Sequence, residues 1–311
     1  MAIERQITDT IMMVRPAKFG FNPQTATNNA FQDESTDLSP EEIQTLALQE
    51  FDGFVQILRN AKIRVIVVQD TETPTKYDAI FPNNWISTHQ DGTLITYPMF
   101  APMRRLERRE DIIGGISEEF SVENRIRLES YEAQEIFLEG TGSMILDRPN
   151  KLVYACRSLR TEEKVLDDFC KKMGYEKVLF TSTDENGLEI YHTNVMMALG
   201  ENFVVICMES VKDGKEWANL HKKFKETGKA VIEISVDQMA AFAGNMLQVK
   251  NTDGDTFLVM SEQAYRSLEE EQIKQIEQHT YLLHAPLYTI EKFGGGSARC
   301  MMAEIFAERK H

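Results

Sequence analysis

Short apolar runs in this chain come in pairs, each pair opened by a polar residue and split by a turn. The pairs are "NWISTHQDGTLITYPMF" from Asn84, "SMILDRPNKLVYACRS" from Ser143, "NVMMALGENFVVICMES" from Asn194 and "NMLQVKNTDGDTFLVMS" from Asn245. A fifth, shorter run, "CMMAEIF", opens at Cys300, and the steps between starts are 59, 51, 51 and 55 residues. The separators "DG", "RPN", "GEN" and "TDGD" are turn chemistry, so each unit is expected to open with a β-hairpin.

Helical periodicity fills the gaps. "LSPEEIQTLALQEFDGFVQILRN" offers Ser39 as N-cap, Pro40 at the first helical position and Glu42 as the capping-box partner. Ile43, Ala47, Phe51, Phe54, Val55 and Leu58 form one apolar stripe, and "AKIRVIVVQD" follows as a buried strand. "TEEKVLDDFCKKMGYEKVLFTS" and "EWANLHKKFKETGKAVIEISV" repeat this order. So does "SEQAYRSLEEEQIKQIEQH" ahead of "TYLLHAPLY". The unit is hairpin, helix, strand, used about five times, and a period of this size points to a solenoid, propeller or ring.

The last unit runs out after one strand, while "TIMMVRP" at residues 10–16 is a spare apolar strand at the other end. The economical arrangement is a closed ring in which residues 10–16 complete the last blade and remove an exposed sheet edge. The expected fold is therefore α/β: a single catalytic domain over 1–311, built as a five-bladed α/β propeller of pseudo-fivefold ββαβ repeats closed by the N-terminal strand.

Composition narrows the partners. The 311 residues carry a net charge of −15, which disfavours nucleic acid and anionic membrane surfaces. No apolar stretch approaches a membrane span, and "MAIERQITDT" lacks a signal-peptide pattern. Cys156, Cys170, Cys207 and Cys300 are scattered, with no CxxC pair, which speaks against a zinc ribbon and a disulfide framework. The expected setting is cytoplasmic, with reduced thiols. A homo-oligomer is left open.

In a ring, equivalent strand starts face one axis. Asn84, Ser143, Asn194, Asn245 and Cys300 would then converge on a central pocket, where polar residues make more sense than in a core. Asn83 and Asn84 in "FPNNWIS", Glu139 in "LEGTGSM" and His192 in "YHTNVMM" stand just ahead of such strands. A lone buried cysteine, a lone histidine or a capping glutamate is ordinarily structural. Together, Cys300, His192 and Glu139 supply a nucleophile, a proton carrier and an orienting carboxylate. His89, His221, His279, His284 and His311 fall in turns, helices or the tail.

"GGGSARCM", "YHTNV", "LEGTGS" and "FPNNW", in this order on this repeat, resemble the motifs of the guanidino-group modifying enzymes, the penteins. The resemblance covers nearly the whole chain. It takes in arginine deiminases, dimethylarginine dimethylaminohydrolases, agmatine deiminases and amidinotransferases, and is nearest to the citrulline-utilisation hydrolase type. It implies a five-bladed α/β propeller, Cys300 as nucleophile, His192 as general acid/base and Glu139 as the carboxylate that binds substrate nitrogen. No metal or organic cofactor is implied. The implied reaction is hydrolysis of a linear C–N bond in a citrulline- or arginine-like small molecule. Amine transfer, arginine-deiminase-like activity and a non-catalytic binding protein are the alternatives.

Two departures matter. Arginine deiminases carry aspartates where this chain has Asn84 and Asn194. A guanidinium offers only donors and a positive charge, so losing a carboxylate partner costs on the order of 3–5 kcal/mol. A ureido group also has a carbonyl acceptor, which an amide can serve, so the pair favours a citrulline-like substrate. Glycines 294–296 let the backbone approach closely, and Arg299 with a protonated His192 would favour the thiolate. Arg15, Arg104, Arg105 and Arg299 are candidates for the substrate carboxylate, although "RRLERRE" also reads as a solvated helix face. Asn22 and Phe81 are candidate lining residues.

Overall fold

The structure is a computed structural model, and it describes residues 4–29 and 31–310. Among these, fifteen strands form five separate three-stranded sheets. β1 (Thr10–Arg15) runs parallel to β2 (Arg64–Gln69). The next sheet holds β3 (Ile86–Thr88), β4 (Thr93–Thr96) and β5 (Asn124–Arg127). Then come β6 (Ile145–Asp147), β7 (Leu152–Cys156) and β8 (Glu176–Phe180), followed by β9 (Met197–Leu199), β10 (Phe203–Ile206) and β11 (Ala230–Glu233). The last complete set is β12 (Leu247–Lys250), β13 (Thr256–Ser261) and β14 (Tyr281–Ala285).

Each of these sheets has one plan. The first two strands are an antiparallel hairpin, and the third returns through a crossover to run parallel to the middle strand. Parallel pairing needs such a crossover, and the helices supply it. β15 (Ala303–Glu304) pairs antiparallel with β1, Ile11 facing Glu304 and Met12 facing Ala303. The N-terminal strand thus becomes the middle strand of the unit that Cys300 opens.

The inner strands touch in turn: β15 meets β3, β6 meets β9 and β9 meets β12. The one-turn helix Gly140–Ser143 bridges β3 and β6. Helix Pro40–Asn60 forms as its sequence expects. Ser39 Oγ accepts the Glu42 N–H at 3.2 Å, and Glu42 accepts the Ser39 N–H at 2.8 Å. Its six stripe residues are all buried, each large side chain contributing roughly 1.5–3 kcal/mol. No helix among the described residues is long and apolar enough to cross a membrane.

Two expectations need correction. "SEQAYRSLEEEQIKQIEQH" is two helices, Glu262–Ser267 and Glu270–Glu277, because a fresh capping box at Glu269 and Gln272 starts the second. The five polar positions do not begin strands either. Asn84 lies in a 3-10 turn, Ser143 and Asn194 in one-turn helices, Asn245 directly after a turn and Cys300 in one, each just before its inner strand. The extra turn, absent from an extended strand, frees these side chains from sheet alternation, so Asn194 and Asn245 reach Cys300, whereas the expected convergence fails for Ser143, whose Oγ donates to Arg160 O at 2.6 Å.

Candidate active site

Cys300 sits at the end of a tight turn. Its N–H donates to Ser297 O at 3.0 Å, and Ser297 Oγ donates to the buried Glu291 carboxylate at 2.6 Å. The preceding glycine is required on packing grounds, since a Cβ on Gly294 would stand 2.7 Å from the Phe81 ring. Cys300 Sγ receives two amide N–H groups, from Asn194 Nδ2 and Asn245 Nδ2, each at 3.3 Å. Donors aimed at sulfur stabilise a thiolate.

His192 and Glu139 come together from two neighbouring units. His192 Nε2 lies 2.8 Å from Glu139 Oε2, and Glu139 Oε1 accepts the Phe100 N–H at 2.9 Å. Burial alone would raise the Glu139 carboxyl. Arg160, the bond to His192 and Arg104 instead hold it well below the usual carboxylate range. An ionised Glu139 puts the imidazole proton on Nε2 and leaves Nδ1 as a base. Burial pushes the His192 imidazole down to about 4, against the pull of Glu139. Burial thus favours the neutral imidazole over the imidazolium expected beside the thiol. Close approach also explains "GTG": a Cβ on Gly142 would stand 2.2 Å from Asn84 Nδ2 and 2.8 Å from His192 Nδ1.

Cys300, His192, Asn84 and Arg104 line one cavity of about 20 Å³, with Asp78 and Arg160. It adjoins a cleft of about 970 Å³, and Asn29, Arg160 and Tyr191 line both. Phe81 also lines the smaller cavity. Asn83 is fully buried but does not line it.

The arginines divide sharply. Arg104 is buried, not solvated: Nε and Nη2 grip Glu107 at 2.9 and 3.0 Å, Nη2 also donates to Phe81 O, and Nη1 donates to Asn84 Oδ1 at 2.9 Å. Arg15 does not reach the cavity, because it forms a partly exposed ion pair with Asp52. Arg105 is turned away to the carbonyls of Met99 and Phe100. Arg299 points into a different cavity, held by Met302 O and Glu304.

Two charged cavity residues, Asp78 and Arg160, lie outside the set that the sequence singles out. Asp78 accepts from Asn22 Nδ2 at 2.8 Å and Thr25 Oγ1 at 3.2 Å, while its Oδ1 has no partner. Burial raises the Asp78 carboxyl, opposed by Arg104. Its signal was its place six residues before Asn84 in the same polar-rich stretch. Asn22, a weaker candidate, serves as the clamp on Asp78 and caps helix Pro23–Ala26. Arg160 donates to Asn28 Oδ1 and Thr25 O and lies 4.8 Å from the Tyr191 ring centroid. It stands in a crossover outside the repeat pattern, so periodicity gave no sign of it. Among the described residues no group of three His, Cys, Asp or Glu side chains is placed to hold a metal.

The model of the family described as N,N dimethylarginine dimethylhydrolase, eukaryotic, matches residues 15–307. The chain belongs to this dimethylarginine dimethylhydrolase family. The match spans Asp78, Glu139, His192 and Cys300. Membership makes the chain a pentein hydrolase of a non-peptide C–N bond. Solved structures agree in fold. The N-terminal domain of ArgZ, in a variant covalently bound to a reaction intermediate, has a TM-score of 0.73 at 17% identity, covering 96% of this chain and 98% of that one. A substrate-bound form, from an arginine dihydrolase of the ornithine–ammonia cycle in cyanobacteria, gives 0.72 at 17%, covering 96% and 98%. Against the larger ArgZ chain the coverage is 96% of this chain and 40% of that one. A dimethylarginine dimethylaminohydrolase adduct with S-methyl-L-thiocitrulline gives 0.66 at 14%, covering 96% and 100%. No curated protein matches this family member.

Proposed function

We propose that the chain hydrolyses the ureido C–N bond of a citrulline-like amino acid through a covalent Cys300 adduct. The observation that carries this reading is the Arg104–Asn84 clamp. A guanidinium can only donate, so Arg104 fixes Asn84 Oδ1 toward its Nη1 and leaves Nδ2 on the other side of the amide, beside Gly142. Asn84 Nδ2 is buried and has no partner. A substrate carbonyl supplies that partner, and a guanidinium does not. A substrate guanidinium would also stand near the Arg104 cation.

In the proposed mechanism, neutral His192 takes the Cys300 proton, and Asn194 and Asn245 hold the thiolate. Sulfur attacks the ureido carbon. His192 returns its proton to the leaving nitrogen as the C–N bond breaks, leaving a thiocarbamate on Cys300. The low proton affinity of His192 makes that return easy, and Glu139 steadies the transient imidazolium. His192 then deprotonates a water that cleaves the C–S bond. Whichever C–N bond breaks first, the products are the ω-amine, carbon dioxide and ammonia. Arg160 lines the cavity, and its Nη1, 3.6 Å from Glu139 Oε2, is shared between that carboxylate and the substrate's, while Asp78 Oδ1 offers an acceptor to the substrate ammonium.

The family description favours a second reading, hydrolysis of a methylated guanidine. Ammonia and amine release from L-citrulline, L-arginine, methylated arginines and agmatine separates the two. Citrulline should be consumed fastest, and faster turnover of arginine or a methylated arginine overturns the first reading.

The proposal includes one catalytic domain over 1–311, closed into a five-bladed propeller. The pairing of β1 with β15 and the contacts between inner strands support it. The four free cysteines fit a cytoplasmic setting.

A further inference from the structure

Arg299 and Cys300 are consecutive, yet they line different cavities. The Arg299 cavity, about 30 Å³, lies farther along the inner strands, between Leu146 of β6, Leu199 of β9, Gln248 of β12 and Glu304 of β15. Its charged lining residues are Arg148, Arg299 and Glu304. Arg148 and Arg299 are 3% and 5% exposed.

Their charges do not balance. Arg299 Nη2 donates to Glu304 Oε2 at 2.9 Å, whereas Arg148 Nη2 comes only within 4.0 Å of the same oxygen. Arg148 otherwise donates Nη1–H to His89 Nδ1 at 3.3 Å and lies 3.8 Å from the Phe306 ring centroid. Burial, followed by Arg148 itself, pushes His89 well below the usual imidazole range, so His89 adds no charge. The neighbouring ion pairs, Lys229 with Asp147 and Lys151 with Glu4, are each balanced. Two buried guanidinium groups therefore share one carboxylate, which leaves one positive charge in a nearly sealed space. Burial lowers the proton affinity of Arg299, Glu304 and Cys300 oppose it, and Arg148 lowers it further. An uncompensated buried charge is strongly destabilising, and a counter-ion removes the penalty.

We propose that this cavity binds one halide-sized anion between the Arg148 and Arg299 guanidinium groups. The space exceeds what one water needs and is lined by donors of positive charge. It is separate from the cavity where the substrate reacts, and it needs no part of the hydrolase reading.

The test holds ionic strength constant while chloride replaces gluconate, an anion too large to enter. Thermal unfolding of the full chain should shift upward, saturably, by about 2–5 °C in chloride. In Arg148→Gln that chloride-dependent rise should vanish. Crystals of the full chain soaked in bromide should show an anomalous peak between the two guanidinium groups, which decides the matter if Arg148→Gln fails to fold. Equal melting in chloride and gluconate, a rise that persists in Arg148→Gln, or bromide-soaked crystals without that peak each overturn the proposal. These readouts measure folding and scattering, so an absence of citrulline turnover leaves the site untouched.

Discussion

Two cysteines in this chain are equally hidden and differently surrounded. Cys156 at the end of β7 is 0% exposed and Cys300 is 4% exposed. Cys156 Sγ donates to Ile190 O at 3.3 Å within an apolar cluster, and burial pushes its thiol up to about 12. Cys300 Sγ instead receives two amide N–H groups and borders a cavity that holds His192. Burial alone therefore does not distinguish the two thiols. The surroundings do: Cys156 is enclosed in an apolar cluster, whereas Cys300 borders a cavity shared with His192.

The strongest way to break this comparison is to remove each sulfur. Cys300→Ala should lower kcat/KM at least about 10⁴-fold while the fold persists by circular dichroism. Cys156→Ala should keep the rate within about twofold and lose about 1–2 kcal/mol of stability, read from denaturant unfolding. Comparable rate losses in the two variants would end the distinction.

His192→Ala should lower kcat about 10²- to 10⁴-fold. Because burial holds His192 at about 4, the wild-type kcat/KM profile should show no acid limb near pH 6.5, and a limb there would mean the imidazole is far more solvated than its surroundings allow.

Asn84→Asp sharpens the reading of substrate charge. The carboxylate would still accept from Arg104 but would put an acceptor in the place of the Nδ2 donor. The ratio of citrulline to arginine kcat/KM should fall about 10²-fold, and an unchanged ratio would remove Asn84 as the selector.

The smallest effect concerns Glu291, which anchors the Cys300 turn through Ser297. Burial raises its carboxyl to about 7. A raised acid binds more protons folded than unfolded, so stability falls as pH climbs from the unfolded value of about 4.5 through 7. Glu291→Gln should abolish that component, flattening the wild-type stability curve by about 2 kcal/mol between pH 5 and 7 in denaturant titrations. Parallel curves for the two proteins would show that Glu291 stays ionised.

Much of the fold was legible because its signals are local. Turn pairs between apolar runs fixed the hairpins, and Ser39, Pro40 and Glu42 marked a helix start that forms as written. The split at Glu269 was missed because two short amphipathic helices share one apolar period with a single longer one. In the candidate site, Cys300, His192, Asn84 and Glu139 were legible from repeat position and motif. The arginines were not. "RRLERRE" has the composition of a solvated face, and the neighbouring Asp78, Glu107, Glu139 and Asn84 make a buried Arg104 tolerable.

By itself the sequence determined the repeat, the strand supply at both ends and the set of reactive residue types, since all follow from spacing and turn chemistry. Tertiary structure alone decided orientation. It turned Arg299 away from Cys300, brought Arg160 in from a crossover, and pointed the Asn84 amide by setting Arg104 against its oxygen. The reason is physical: which way a buried polar group faces depends on partners that are distant in sequence, and no local pattern encodes them.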